Sequence, residues 1–173
     1  MSHESSEEDD LKIRHATKND MAEVAGMIQE LAKSINDSLG PRLTVQDLET
    51  HGFGIQPPAF HCKVAEATSD RAILGYALYY PTYSSWEGRA MMLEDLYVRP
   101  SERYRGINKK LFSSVAKEAV RLGCYRLDFH LLKWNPTCVY YEQRGAVNLA
   151  QSLDWRYYRL RFTPDIMQDI FEK

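Results

Sequence analysis

Two adjacent carboxylates and a basic loop lie on one stretch of the chain, residues 91–111. Glu94 and Asp95 fall within a segment typical of a strand, and the loop that follows carries Arg103 and Arg105. A glycine-containing loop that leads into a helix directs backbone N–H groups and the positive end of the helix dipole toward an anion. The stretch therefore indicates an enzyme that binds a phosphorylated ligand beside a basic substrate. The plainer interpretation is a solvated basic turn after a core strand, and this segment alone does not separate the two.

The elements that must position these residues follow from periodicity and turn signals. Alternation of apolar and polar residues predicts strands, and helical spacing of apolar residues predicts helices. The predicted strands are 11–16, 60–66, 73–80, 91–98, 126–131 and 155–162, and the predicted helices are 17–33, 44–54, 107–122, 135–144 and one that starts at 163. This order indicates an α+β fold, layered as in α/β proteins, with a mixed central sheet flanked by helices and a parallel crossover between strands 91–98 and 126–131.

Length and composition limit the class of protein. The chain has 173 residues, of which 44% are hydrophobic and 27% charged, and its net charge is -2. These values are typical of one globular domain and argue against nucleic-acid binding through bulk charge. We expect residues 1–10 to form a disordered acidic tail before a single domain of residues 11–173. No secretory signal, membrane-length apolar run or metal-ligand spacing among the three cysteines is found, so we expect a cytoplasmic protein with no membrane partner and no metal.

A succession of short sequence words runs in fixed order from about Leu11 to Phe162. The words are Glu30–Lys33, Gly52–Gly54, His61–Cys62, Val64–Glu66, Gly75–Ala77, Leu93–Asp95, Trp134–Asn135 and Arg144–Ala146. This succession resembles the GNAT superfamily of N-acetyltransferases, and within it the diamine branch that includes the spermidine/spermine and thialysine acetyltransferases. The resemblance implies the GNAT fold, acetyl-CoA as co-substrate, a small-molecule amine as acceptor and a homodimer, to whose interface the 155–162 strand would contribute.

The resemblance assigns most of the basic loop to the pyrophosphate of CoA. The family signature matches Arg103 and Gly106, and it implies a cofactor-binding set of Leu96, Val98, Arg103, Tyr104, Arg105, Gly106, Ile107, Asn108, Asn135 and Tyr141. Leu96 and Val98 would pair their backbone with the pantetheine arm. Asn108 departs from the pattern, because Gly or Ala is usual there. Its side chain either crowds the pyrophosphate or donates to it, and the sequence leaves both possibilities open.

The resemblance also implies catalytic roles for Glu94 and Tyr141. Glu94 matches the general base, which the chemistry needs because an alkyl ammonium cannot attack a thioester until it loses a proton. Tyr141 matches the general acid that protonates the departing thiolate. Glu94, Asp95 and Trp86 form the implied amine-binding set. The alternatives are an exposed acidic pair on a strand edge and a tyrosine that only packs on the sheet.

Several positions depart from the polyamine enzymes of this branch. Ser34 and Ile35 stand where acidic and aromatic residues are usual, and Ser84 and Ser85 precede Trp86 where an acid is common. A long polycation needs several anionic contacts along its length, so these departures favour a short polyamine-like or lysine-like amine. A catalytically impaired GNAT-fold module that binds a ligand or a protein is the alternative, and a protein acceptor stays open as a third interpretation.

Overall fold

A computed structural model describes residues 10–37 and 40–171 of the chain. The chain divides into two units, Met1–His130 and Leu131–Lys173. Residues 1–9 of the predicted tail lie outside the described residues, while the carbonyl oxygen of Asp10 accepts a hydrogen bond from the Thr68 amide at 3.0 Å. That the chain forms a single domain over residues 11–173 stays a prediction.

Five strands form the sheet of the first unit. They are β1 (Leu11–His15), β2 (His61–Ala67), β3 (Ile73–Ser84), β4 (Gly88–Val98) and β5 (Arg126–Phe129). Their order in the sheet follows their order in the sequence; the first three pairings are antiparallel, and β4 pairs with β5 in parallel. The first five predicted strands and the predicted parallel crossover are therefore confirmed, as is the mixed sheet flanked by helices.

Three helices cover the two faces of this sheet: α1 (Met21–Ser34), α2 (Val45–Glu49) and α3 (Ile107–Arg121). Apolar residues of α1 and α2 pack against Tyr76 and Leu78 of β3, whereas those of α3 pack against Ala77 and Tyr79. Because successive side chains of a strand point to opposite faces, α3 lies across the sheet from α1 and α2. Burying each large apolar side chain contributes about 1.5–3 kcal/mol to folding, so these two layers hold the sheet in place.

Two predicted helix boundaries have the expected local structure. Thr44 caps α2, since its Oγ1 accepts from the Asp47 amide at 3.1 Å while Asp47 Oδ2 accepts from the Thr44 amide at 2.9 Å. Gly123 follows the end of α3 with a φ of 74°, and the Cys124 amide bonds back to the Ala119 carbonyl oxygen at 2.9 Å. This left-handed residue stops the helix and turns the chain toward β5.

The second unit contains the short helices α4 (Thr137–Glu142), α5 (Leu149–Ser152) and α6 (Pro164–Phe171). The strand predicted for residues 155–162 is wrong, because residues 153–163 have no regular secondary structure and the side chains of 155–162 are exposed. Alternation of apolar and polar side chains meets only one requirement for a strand. The backbone N–H and C=O groups also need a neighbouring strand, and the described residues of this unit contain none.

Three further observations concern the described residues alone. None of their helices is both long and apolar enough to cross a bilayer. No group of three or more His, Cys, Asp or Glu side chains within the same ranges is arranged to hold a metal ion. Cys62, Cys124 and Cys138 are free thiols.

Candidate active site

A β-bulge at Glu94 is the local feature that organises the acidic pair. In the ladder between β3 and β4, Tyr79 is opposite Leu93 and Leu78 is opposite Asp95, so Glu94 is an extra residue on β4. In a regular strand, two adjacent side chains point to opposite faces of the sheet. A bulge breaks this alternation and re-aims a side chain.

Both carboxylates consequently reach tyrosines on the same face of the sheet. The Tyr80 hydroxyl donates to Glu94 Oε2 at 3.0 Å, and the Tyr76 hydroxyl donates to Asp95 Oδ2 at 3.3 Å. Tyr76 and Tyr80 are four residues apart on β3, and both pack with the cluster on the α1 side. The face that carries α1 and α2 therefore presents two neighbouring carboxylates, each fixed by a phenol.

The two carboxylates differ in their surroundings. Glu94 is exposed, whereas Asp95 is half-buried. Burial raises the pKa of Asp95 above the ordinary value of an aspartate, repulsion by Glu94 adds to the rise, and the Tyr76 hydrogen bond opposes it. Burial, and next the charge of Asp95, raise the pKa of Tyr76, so this phenol stays a donor. The pair combines an accessible carboxylate with one held in an apolar setting, an arrangement suited to attracting a cation and taking a proton.

The bulge at Glu94 lies where β4 stops pairing with β5. β5 pairs with β4 from Ala90 to Leu93, and no strand among residues 10–37 and 40–171 continues that pairing beyond Leu93. Residues 94–98 thus keep β3 on one side and have an open edge on the other. Backbone groups along such an edge are available to an extended ligand, as when a peptide adds to a sheet. Leu96 and Val98, the residues predicted to pair with pantetheine, lie in this segment.

The basic loop ends at the start of α3 as the sequence predicts. Residues 100–105 form a short 3₁₀ turn, and Gly106 then has a φ of 70° before the helix begins at Ile107. The amides of Lys109 and Lys110 both bond to the Gly106 carbonyl oxygen, at 3.1 and 3.2 Å. The amides of Ile107 and Asn108 precede the first of these bonds, so they are the first-turn donors that a helix offers to an anion.

The side chains of the loop have different roles. Ile107 is fully buried in the core beneath α3, Tyr104 is 99% exposed and Asn108 is half-buried. Arg103 Nε donates to the Val98 carbonyl oxygen at 3.3 Å, and its guanidinium lies 6.0 Å from the centre of the Tyr97 ring. The Tyr97 hydroxyl donates in turn to Glu30 Oε2 of α1 at 3.0 Å. Arg103 therefore ties the loop to the end of β4.

Asn135 and Tyr141 belong to the second unit. Asn135 Oδ1 accepts from the Thr137 amide at 3.0 Å and from Thr137 Oγ1 at 2.7 Å, so it fixes the turn that leads into α4. Tyr141 is 8% exposed, and burial, followed by the neighbouring Tyr140, raises the pKa of its phenol. Asn135 as a cofactor ligand and Tyr141 as the general acid stay predictions.

Trp86 is not brought to the acidic pair within one chain. It lies in the turn between β3 and β4 and is 90% exposed. Glu94 lies six residues beyond Gly88 along β4, a rise of about 20 Å. The role of Trp86 in amine binding therefore stays a prediction. The distance between Trp86 and Glu94 does not support that role within a single copy of the chain.

The sequence predicted no role for Tyr76 and Tyr80, the phenols that hold the acidic pair. The sequence does indicate that these two tyrosines share a face of the sheet, because they lie four residues apart on a predicted strand. The sequence does not show that both carboxylates accept hydrogen bonds from these tyrosines, because a regular β4 would turn either Glu94 or Asp95 away from them. The bulge that aligns both carboxylates has no mark in the sequence.

Comparison with known proteins identifies the family. Residues 27–146 match the family model described as Acetyltransferase (GNAT) family. A thialysine N-epsilon-acetyltransferase of Mus musculus is 36% identical over 166 residues, which are 92% of this chain and 96% of that protein. A spermidine/spermine N(1)-acetyltransferase-like protein 1 of Homo sapiens is 34% identical over 157 residues, 87% of this chain and 22% of that longer protein.

The fold is shared with solved structures at lower identity. An integron cassette protein from V. cholerae aligns with a TM-score of 0.69 and 22% identity, over 94% of this chain and 98% of its own. An acetyltransferase from Trypanosoma brucei aligns with a TM-score of 0.67 and 21% identity, over 88% and 100% of the two chains. The sequence resemblance and the predicted fold are confirmed. The chain belongs to the GNAT acetyltransferase family and is an acetyltransferase related to the thialysine and spermidine/spermine N-acetyltransferases.

Proposed function

We propose that this protein transfers the acetyl group of acetyl-CoA to the primary amine of a small polyamine-like or lysine-like molecule by direct attack. The observation that carries the proposal is the pair Glu94 and Asp95, turned to one face at the point where β4 leaves β5. The unpaired edge of residues 94–98 and the amides at the start of α3 lie on one strand–loop–helix unit, and they support the proposal.

The acidic pair meets the first need of the reaction. An alkyl ammonium has a pKa of about 10.4 and must lose a proton before its nitrogen can attack the thioester. Half-buried Asp95 attracts the cation, and exposed Glu94 takes the proton through a water molecule. The nitrogen then bonds to the acetyl carbon, and backbone N–H groups of β4 stabilise the oxyanion before the carbon–sulfur bond breaks.

Tyr141 meets the second need, a proton for the departing thiolate. Its raised pKa keeps the phenol protonated at neutral pH, so it remains able to donate. The proton that the amine gave up leaves through Glu94 to solvent, and solvent reprotonates Tyr141, so neither group is consumed. No metal and no covalent acyl-enzyme is required by this sequence of steps.

A short amine fits the chain better than a long polycation. Ser34, Ile35, Ser84 and Ser85 remove acidic groups that a polyamine of several charges would need. A relative that is 36% identical over 92% of this chain is named for thialysine, a lysine-like amine. We further propose that the protein is cytoplasmic and works as a homodimer, for which the exposed aromatic segment 155–162 supplies the surface.

Calorimetric titration with acetyl-CoA followed by a thiol-release assay tests the proposed reaction. The amine panel should contain thialysine, lysine, putrescine, spermidine and spermine. We expect micromolar binding of acetyl-CoA and the highest kcat/KM with a short amine. Glu94→Gln and Tyr141→Phe should each lower kcat by about 100-fold, as expected for loss of a general base or acid. Unchanged rates in both variants would reject the catalytic assignments, and a clear preference for spermine would reject the substrate class.

The second candidate function is a ligand-binding or protein-interaction module without catalysis. It is favoured by Asn108, which stands in the first turn of α3 where the family pattern has Gly or Ala. If acetyl-CoA released no heat on titration, this candidate would replace the enzyme. Asn108→Gly decides between crowding and donation, because binding should tighten if the side chain crowds the pyrophosphate and weaken if its amide donates.

A further inference from the structure

Tyr97, near the end of β4, connects α1 with the basic loop. Its side chain is 5% exposed and packs with the cluster on the α1 side of the sheet. Its hydroxyl donates to Glu30 Oε2 of α1 at 3.0 Å, and the centre of its ring lies 6.0 Å from the guanidinium carbon of Arg103. This separation is within the range of a cation–π interaction. Tyr97 therefore contacts α1 through its hydroxyl and the loop through its ring.

Two carboxylates of α1 face Arg99, and one of them also binds Tyr97. An Nη atom of Arg99 lies 2.8 Å from Glu23 Oε2, whereas its Nε lies 3.7 Å from Glu30 Oε1. That Nε is enclosed and has no hydrogen-bond partner among the residues that the structure describes. Glu23 thus accepts a hydrogen bond from Arg99, while Glu30 accepts one from Tyr97.

Arg103 is held at two points of its side chain and is still accessible. Its Nε donates to the Val98 carbonyl oxygen at 3.3 Å, its guanidinium lies near the Tyr97 ring, and the residue is exposed. A guanidinium that is already oriented loses less conformational entropy when it binds a phosphate. Contacts that hold the Tyr97 ring in place should therefore strengthen anion binding by Arg103.

We propose that Glu30 and Tyr97 are positioning residues: the carboxylate fixes the phenol, and the phenol ring holds Arg103 where it meets the pyrophosphate of acetyl-CoA. The contact with pyrophosphate rests on the proposed function, whereas the positioning of Arg103 does not. Burial, and next the hydrogen bond to Glu30, raise the pKa of Tyr97, so its phenol stays a donor at neutral pH. α1 thereby contributes to cofactor binding through two residues that lie outside the basic loop.

Truncation of Glu30, with Glu23 as the matched position, tests the proposal. Both alanine variants remove one carboxylate of α1 that faces Arg99, and Glu30→Ala also removes the acceptor of Tyr97. In calorimetry, we expect Glu30→Ala to bind acetyl-CoA about threefold to tenfold more weakly than the wild type. Glu23→Ala should stay within about twofold of it. Glu30→Gln should recover most of the affinity, because its amide oxygen still accepts from the Tyr97 hydroxyl.

Tyr97→Phe completes a double-mutant cycle with Glu30→Ala. It keeps the ring beside Arg103 but removes the donor, so alone it should weaken acetyl-CoA binding as much as Glu30→Ala does. The two changes together should weaken binding no more than either one, since they break the same hydrogen bond. Additive losses, or equal losses in Glu30→Ala and Glu23→Ala, would overturn the positioning role.

The Nε–H resonance of Arg103, measured without any cofactor, reports the positioning separately. Its absence from the spectrum of Arg103→Lys assigns it. We expect Glu30→Ala and Tyr97→Phe each to raise the rate of hydrogen exchange at this Nε at least about twofold, and Glu23→Ala to leave it unchanged. Unchanged exchange in the first two variants would overturn the positioning of Arg103. If exchange rose but no form of the protein bound acetyl-CoA, the proposed function would fail and the pyrophosphate contact with it, while the positioning would stand.

Discussion

At the scale of single residues, the acidic pair depends on one irregularity. Without the extra residue at Glu94, the β3–β4 ladder would direct Glu94 and Asp95 to opposite faces, and one of them would lose its phenol. The bulge instead gives two unequal carboxylates on one face. Glu94 is exposed to water, and Asp95 is half-buried. This difference in burial distinguishes the pair from an ordinary acidic strand edge.

The phenol of Tyr80 should position Glu94 for catalysis. Its hydroxyl donates to Glu94 Oε2 at 3.0 Å, so Tyr80→Phe frees the carboxylate to sample other rotamers. A hydrogen bond to a charged group is worth about 1.5–3 kcal/mol when well formed, and the exposure of Glu94 lowers this. We expect kcat to fall about threefold to tenfold, with the KM for acetyl-CoA and the melting temperature unchanged. Tyr83→Phe, on the same strand with a side chain that is 78% exposed, is the control. Equal kcat values in the two variants would contradict the positioning role.

At the scale of elements, the turn into α3 depends on Gly106. Its φ of 70° is costly for any residue with a Cβ atom, while no atom lies within 4 Å of where that Cβ would be. Gly106→Ala should therefore lose about 1 kcal/mol of stability through backbone strain alone and weaken acetyl-CoA binding as the first-turn amides shift. Denaturant unfolding measures the first effect and calorimetry the second.

Gly26→Ala is the matched control for that substitution. Gly26 lies inside α1, again with open space around its Cβ position, so the change should stabilise the protein by about 0.5–1 kcal/mol. If both substitutions changed stability in the same direction, the conformational argument for Gly106 would be wrong.

An ion-pair network joins the first two strands to the start of α1 and should set the acid stability of the fold. Arg14 of β1 binds Asp20 at 2.7 Å and Glu66 of β2 at 2.6 Å, with Asp20 at the N-terminus of α1. The hydrogen bond from Arg14, aided by those from Thr17, lowers the pKa of Asp20 from 3.8 to about 2. A carboxyl whose pKa is lower in the folded state stabilises the protein above its unfolded pKa, and that contribution is lost as the pH falls from about 4 to about 2.

Asp20→Asn measures this contribution. At 1.36 kcal/mol per pKa unit, the shift corresponds to about 2 kcal/mol at pH 7, and the 11% exposure of the side chain leaves little screening to subtract. We expect urea unfolding to show that loss at pH 7 and a loss below about 0.5 kcal/mol near pH 2, where the folded-state carboxyl is half protonated. Glu87→Gln, which removes an exposed pair with Arg126, should cost less than about 0.5 kcal/mol. A similar cost for both variants would rule out a special role for the network.

Sequence patterns predict some of these elements correctly and miss others. Thr44 and Gly123 marked helix ends correctly, because capping and left-handed turns depend on residues within a few positions of each other. The bulge at Glu94 depends on how β3 and β4 pair, which local patterns do not record. Residues 155–162 alternate as a strand does, yet pairing decides whether a strand forms, and no strand among the described residues pairs with this segment.

At the scale of the whole molecule, the same segment leads to a test of assembly. Trp155, Tyr157, Tyr158, Leu160 and Phe162 are 62% to 80% exposed in succession. Monomeric proteins rarely leave so continuous an apolar surface in water, and a second copy would supply both cover and strand partners. Tyr158, Leu160 and Phe162 lie on one side of an extended chain, so Leu160→Asp with Phe162→Asp should place two charges in the proposed interface.

Sedimentation velocity should show a dimer for the wild type and a monomer for this double variant at about 20 μM protein, since burying an unpaired carboxylate costs several kcal/mol. Leu43→Asp with Val120→Asp makes the same chemical change at two exposed apolar residues elsewhere and should stay dimeric. A monomeric wild type would end the proposal of a homodimer. A double variant that stayed dimeric would move the interface away from 155–162. If the double variant lost both dimerisation and acetyl transfer, the second copy would complete the amine site. Trp86, which is remote from Glu94 within one chain, would then be able to contact the substrate in the dimer.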